Sequence, residues 1–197
     1  MELILASASP RRRELLDQIG VRYRCEPADI DETPRDKEKP GDYVLRMAEE
    51  KAAAIAALHS NENVAVLAAD TSVVIDEDVL GKPANRFEGL GMLARRSGRS
   101  HSVLTGICLF MPDGNCDSEV VETRVEFVQL NREQCDAYLA TDEPWDKAGG
   151  YGIQGLAGAF VSSIEGSYSN VVGLPLAQTW RLLSANGIGG ALETKGE

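Results

Sequence analysis

The chain has 197 residues, 31 Asp and Glu against 20 Lys and Arg for a formal charge of −11, with 43% hydrophobic and 26% charged residues. This composition suits one folded domain, of one or two lobes, and excludes a disordered polyelectrolyte. The acidic balance also excludes a general affinity for nucleic-acid polymers or anionic membranes, so a phosphate-bearing ligand has to meet a local basic cluster.

The apolar run Leu3 to Ala6 breaks into Ser7-Ala8-Ser9-Pro10, and Leu15, Leu16 and Ile19 then recur at helical spacing until Gly20. This predicts strand, loop, helix, with Ser9 as N-cap, Pro10 in the first turn and Gly20 at the C-terminal cap. Residues 26–41 are acidic and interrupted by proline, and a second helix is expected from about Asp42 to His59 with Val44, Met47 and Ala48 inward. Val64 to Ala69 and Ser72 to Ile75 are β-branched, apolar stretches broken at Asp70-Thr71, and Asp76-Glu77-Asp78 reads as a hairpin turn. A helix near Phe87 to Arg96 precedes two strands, about Ser102 to Phe110 and Glu119 to Leu130, flanking the turn at Pro112-Asp113-Gly114-Asn115. Asn131 caps a helix to about Ala140, a glycine-rich segment runs from Lys147 to Gly158, and Leu176 to Ser184 forms the last helix. The expected domain is residues 1–186, with 187–197 as a flexible tail. Mixed strand order with interleaved helices predicts one α/β unit with a cleft.

The four cysteines include no C-x-x-C pair, and the two histidines, His59 and His101, are too few for a multi-histidine metal site. A metal would therefore be held by carboxylates. The N-terminal apolar run precedes its positive charges, the reverse of a secretory signal, and no apolar run reaches the roughly eighteen residues of a membrane-spanning helix. A reducing, cytoplasmic setting is the expectation.

Arg11, Arg12 and Arg13 fall in the first turn of a helix, where cations oppose the helix dipole. A polyanion bound at the Ser7 to Ser9 loop would compensate, since backbone N–H groups and guanidinium forks both suit phosphate oxygens; a solvated basic helix end is the plainer reading. Asp70 stands out because a carboxylate between Val66-Leu67-Ala68-Ala69 and Val73-Val74-Ile75 buries badly without charged partners or a metal. The alternative is a strand-end acid capping a turn with Thr71. Glu32, within Asp29-Ile30-Asp31-Glu32, could join Asp70 around a hard cation, or belong to a solvated charge run. Lys51 follows Glu49-Glu50 on a helix and Lys82 lies in Leu80-Gly81-Lys82-Pro83; either could neutralise phosphate, though Lys51 by sequence alone reads as a surface lysine. Asp146 to Gly155 is glycine-dense enough for a flat ligand to approach the backbone, or to form a bulged strand, and lacks the dinucleotide fingerprint.

Taken together, LASASPRRRELL, DIDET, EEKA, AADT, GKP, DKAGGYGIQG and NVVGLPL resemble, in order over about residues 3 to 184, the Maf family of nucleoside triphosphate pyrophosphatases. The resemblance implies a twisted mixed sheet flanked by helices, two lobes around a deep cleft and an inosine triphosphatase-like architecture. It also implies a cytoplasmic homodimer acting on a nucleoside triphosphate. Asp70 matches the family's proton acceptor. Ser9, Arg12, Lys51 and Lys82 match phosphate-facing positions, and Glu32 with Asp70 would hold a divalent cation, magnesium or manganese. Ala68 departs from the glycine common there, which narrows the approach to Asp70.

The positions taken to separate the subfamilies match Arg11, Thr71 and Gln154, and the chain has the set of the dTTP/UTP branch rather than that of the 7-methyl-GTP branch. An amide at 154 can donate to uracil O4 and accept from N3–H, whereas a carboxylate suits guanine N1–H and its amino group. The resemblance thus implies hydrolysis of dTTP and UTP, or of modified pyrimidine nucleotides, to monophosphate and pyrophosphate. Two alternatives remain open: a pyrophosphatase for 7-methyl-GTP or other modified nucleotides, and a nucleotide-binding regulator of septum formation.

Overall fold

The computed structural model describes residues 1–192. Strand β1 (Glu2–Leu5) leads through the serine loop to helix α1 (Pro10–Gln18). Ser9 Oγ accepts from the Arg12 amide at 3.4 Å, and Gly20, at φ 66°, supplies the left-handed residue that ends the helix. The short strand β2 (Arg24–Cys25), too brief to leave a periodicity, precedes the acidic segment and helix α2 (Pro40–Leu58). Strand β3 (Val64–Ile75) is continuous through Asp70-Thr71, where a break was expected. Those two residues are only half-buried within an otherwise buried strand, so the polar pair interrupts the burial and not the backbone.

Asp76 and Glu77, at φ 52° and 68°, make the tight turn into β4 (Asp78–Leu80), which pairs antiparallel with β3. Helix α3 (Arg86–Arg96) is capped by Asn85 and leads to β5 (Ser100–Phe110) and β6 (Cys116–Phe127). Helix α4 (Arg132–Tyr138) starts in a reciprocal capping box between Asn131 and Gln134. The glycine-rich segment that follows contains three short 3-10 turns, Glu143–Asp146, Ala148–Gly150 and Leu156–Phe160, and not a bulged strand. Then come β7 (Val161–Glu165), α5 (Tyr168–Val172) and α6 (Leu176–Ala185). Neither β7 nor α5 was predicted: β7 is largely exposed and so carries no apolar alternation.

The strand order is β2-β1-β3-β5-β6-β7, with β4 also on β3. The β1 strand runs parallel to both β2 and β3, whereas β6 and β7 are antiparallel, so the sheet is mixed. The chain forms two compact units. The first comprises Met1–Asp70, Thr105–Val121 and the described residues from Gly173 on; the second comprises Thr71–Leu104 and Glu122–Val172. In the first, Ala48, Ala52 and Ile55 of α2 pack on Ile4, Val66, Ala68 and Cys108 of the sheet. Gly106 permits this approach, because a Cβ there would press into the Val44 carbonyl and lie 2.8 Å from the Leu45 nitrogen. In the second, Leu93, Phe127, Tyr138 and Tyr151 centre a separate core. No helix among the described residues is long and apolar enough to cross a membrane.

Within the segment expected as a flexible tail, Ile188 is buried and the Ala191 amide donates to the Ile19 carbonyl at 2.9 Å, tying this stretch to the end of α1. The remainder of that expectation, residues 193–197, lies outside the described residues. All four cysteines are free thiols.

Candidate active site

The first unit assembles five of the residues singled out in the sequence. Lys51, on the middle of α2, is not a solvated surface lysine: its side chain is 11% exposed, and its Nζ lies 2.7 Å from both Asp70 Oδ1 and Glu32 Oε1. Helix α2 points this ammonium at the half-buried step in β3, which explains how a carboxylate is tolerated there. Glu32 comes from the acidic segment, and α2 holds that segment in place. Tyr43 Oη donates to the Glu32 carbonyl at 2.9 Å and Arg46 donates to the Thr33 carbonyl at 3.2 Å. Arg46 also grips Glu38 with two hydrogen bonds of 2.6 and 2.7 Å, which pull that carboxyl down to about 2.

At the start of α1, Arg12 is anchored inward. Its Nε donates to the Gly173 carbonyl at 2.8 Å and its Nη1 to Ser7 Oγ at 3.2 Å. Burial lowers the Arg12 pKa below its ordinary value, while Asp70 and Glu32 pull it back up, so both acids lie within electrostatic reach of this guanidinium. Arg11 is half-buried and Arg13 exposed. Ser7, in the loop expected to meet a polyanion, is buried and also accepts from the Ser9 amide at 3.1 Å.

Thr71, Lys82 and Gln154 belong to the second unit. Thr71 directly follows Asp70 on β3 and is half-buried, while Lys82 and Gln154 are exposed. The loops carrying the last two are joined, since the Gly149 amide donates to the Gly81 carbonyl at 2.9 Å. Arg96, which the sequence presents as an ordinary helix-end arginine, is fully buried between the Phe127 and Tyr151 rings and donates to the Gly149 carbonyl.

Among the described residues no group of three or more His, Cys, Asp or Glu could by itself hold a metal ion. Glu32 and Asp70 nonetheless suit a hard cation as two ligands. Each carboxylate has a second oxygen beyond the one bonded to Lys51. Magnesium usually keeps few protein ligands and takes the rest from phosphate and water, which matches so small a donor set.

A capped helix start backed by a guanidinium, beside an ammonium and two carboxylates, can meet both the oxygens of a polyanion and a cation bound to it. In an α/β protein with a mixed sheet, that defines a phosphate-handling class of site. The model of the family described as Maf-like protein matches residues 2–186, and the chain belongs to the Maf family. It is 50% identical over 194 residues to a dTTP/UTP pyrophosphatase of Shewanella sp. (strain MR-7), covering 95% of this chain and 100% of that one. It is 49% identical to a dTTP/UTP pyrophosphatase of Caulobacter vibrioides, covering 94% and 95%. Among solved structures, a HAM1 protein from Coxiella burnetii aligns with 67% of this chain and 75% of its own, at 21% identity and a TM-score of 0.42.

Proposed function

We propose that the chain hydrolyses dTTP and UTP to the nucleoside monophosphate and pyrophosphate, with Asp70 as proton acceptor. The observation that carries this reading is the Lys51 ammonium 2.7 Å from both Asp70 and Glu32, together with relatives at about half identity named for that activity. Asp70 orients the attacking water and takes its proton. Lys51 fixes Asp70 and shields it from the negative phosphates. Arg12, the Ser9 hydroxyl and the amides opening α1 meet phosphate oxygens, and Lys82 would stabilise phosphate charge. Glu32 and Asp70 would hold a divalent cation, magnesium or manganese, which when bound neutralises triphosphate charge and activates the phosphorus. Arg11, Thr71 and Gln154 set the base preference, Gln154 by pairing with the O4 and N3–H edge of uracil or thymine.

Product analysis tests this reading with the protein and its Gln154→Glu variant, each incubated with magnesium and dTTP, UTP, CTP, GTP, ATP or 7-methyl-GTP. The expected result is monophosphate plus pyrophosphate from dTTP and UTP, with the preference shifted towards guanine nucleotides in the variant. Cleavage mainly of a guanine nucleotide by the unaltered protein would keep the reaction and overturn the base assignment. Tight nucleotide binding without turnover would favour a regulatory nucleotide binder.

A further inference from the structure

We infer that Glu143 is a positioning residue for base selectivity, holding the segment that presents Gln154 by accepting hydrogen bonds from the amides just beyond it. This inference rests on the reading of Gln154 as the base contact.

Glu143 opens a 3-10 turn and is half-buried, yet its carboxylate is spent on the chain's own backbone. Oε2 accepts from the Leu156 amide at 2.7 Å; Oε1 accepts from the Ala157 amide at 3.1 Å and from Tyr138 Oη at 3.0 Å. Leu156 and Ala157 begin the turn Leu156–Phe160, whose first amides have no partner within the turn itself. Burial raises the Glu143 pKa, but the Ala157 and Leu156 amides, Tyr138 and the Lys147 charge outweigh it, and the carboxyl lies below its usual range. It is thus an ionised acceptor at neutral pH.

The Glu143 carbonyl also anchors a lysine that lies against Gly152. Lys147 Nζ donates to the Glu143 carbonyl at 2.8 Å, and a Cβ at Gly152 would lie 2.8 Å from Lys147 Cε. At Gly155 a Cβ would lie 2.8 Å from Oε1 and closer still to Oε2, so only glycine lets the carboxylate reach the two amides. Gln154 stands between these two glycines with its side chain exposed. The path from Gly152 to Gly155 belongs to no helix or strand; a turn bond from the Gly155 amide to the Gly152 carbonyl at 3.1 Å and the Glu143 bonds just beyond it hold the loop. A displacement of about 1 Å at a recognition group is enough to degrade selectivity.

The test compares kcat and KM for dTTP and CTP in the intact protein and in Glu143→Gln, Tyr138→Phe and Gln154→Ala. Glu143→Gln replaces one acceptor oxygen by an amide NH2 facing a backbone N–H. The dTTP over CTP ratio of kcat/KM is expected to fall about tenfold, more through KM than through kcat. Tyr138→Phe keeps the packing and removes one donor to the carboxylate, and should shift the ratio in the same direction by less. A lowered melting temperature with the ratio unchanged in Glu143→Gln, while Gln154→Ala does move it, would overturn the inference and leave Glu143 a purely structural residue. Were Glu143→Gln to fail to fold, an unchanged ratio in Tyr138→Phe would overturn it equally. If Gln154→Ala leaves the ratio unmoved, the base reading itself fails and takes the inference with it.

Discussion

Replacing Lys51 with methionine removes the ammonium that joins Asp70 to Glu32 while keeping an unbranched side chain one atom shorter and the helix propensity of α2. At 2.7 Å and an effective dielectric of about 20, each contact carries roughly 6 kcal/mol of gross Coulomb attraction, most of it offset by desolvation. Breaking a fully buried pair from one side costs about 3–5 kcal/mol, because the remaining charge is stranded. Asp70 is 15% exposed and Glu32 is 58% exposed, so water recovers part of that loss. The expected destabilisation is about 2–3 kcal/mol. Urea denaturation of the protein, Lys51→Met, Asp70→Asn and the double variant would measure both the loss and the coupling. Asp70→Asn should cost about 2 kcal/mol less in the methionine background than alone, since the charge it removes is then unpaired. A Lys51→Met variant within about 0.5 kcal/mol of the original, with additive effects in the double variant, would refute the idea that Lys51 is what makes Asp70 tolerable on β3.

Gly106→Ala forces a methyl into the Val44 carbonyl, so α2 has to move outward; a loss of about 3 kcal/mol and reduced turnover are expected, and an unchanged urea midpoint would contradict the close approach of α2 to β5. His101 is buried beside Tyr151, and burial, helped by the Arg96 charge, pushes its pKa down to about 3. The unfolded chain, with an ordinary pKa of 6.5, therefore binds the proton that the folded protein excludes, and stability falls as pH drops from 6.5 towards 3. The loss reaches about 2 kcal/mol at pH 5, and His101→Gln should flatten it in denaturation series from pH 7 to 4.5; parallel slopes for both proteins would disprove the assignment. His59 behaves oppositely: its contacts with Glu62 and Glu26 raise its pKa, so its stabilisation is complete below pH 6.5 and disappears as pH rises through the folded value. Thermal melts of His59→Gln should differ most from the original at low pH and converge as the pH rises.

The elements with local chemical signals were the legible ones. Ser9-Pro10 and Gly20 fix both ends of α1, Asn131 with Gln134 starts α4, and the Asp76-Glu77 turn marks the hairpin. Asp70 was legible for the same reason, as a carboxylate inside an apolar strand pattern. Lys51 was not, because its helical neighbours Glu49 and Glu50 are polar and the carboxylates that bury it lie 19 residues away in both directions along the chain, at Glu32 and Asp70. Glu143 and Arg96 escaped for a related reason. Each is a charged residue that bonds backbone groups of a glycine-rich segment, and backbone groups leave no residue-type signal. The shape of that segment likewise depends on glycines and 3-10 turns that periodicity cannot resolve.

The most direct measurement is pyrophosphate release from dTTP with magnesium by the protein and by Asp70→Asn, together with the dTTP dissociation constant of each. Asp70 as proton acceptor predicts dTMP and pyrophosphate from the protein and at least about a hundredfold lower kcat in the variant, with dTTP still bound. A variant that turns over dTTP at the original rate would contradict the account at its centre.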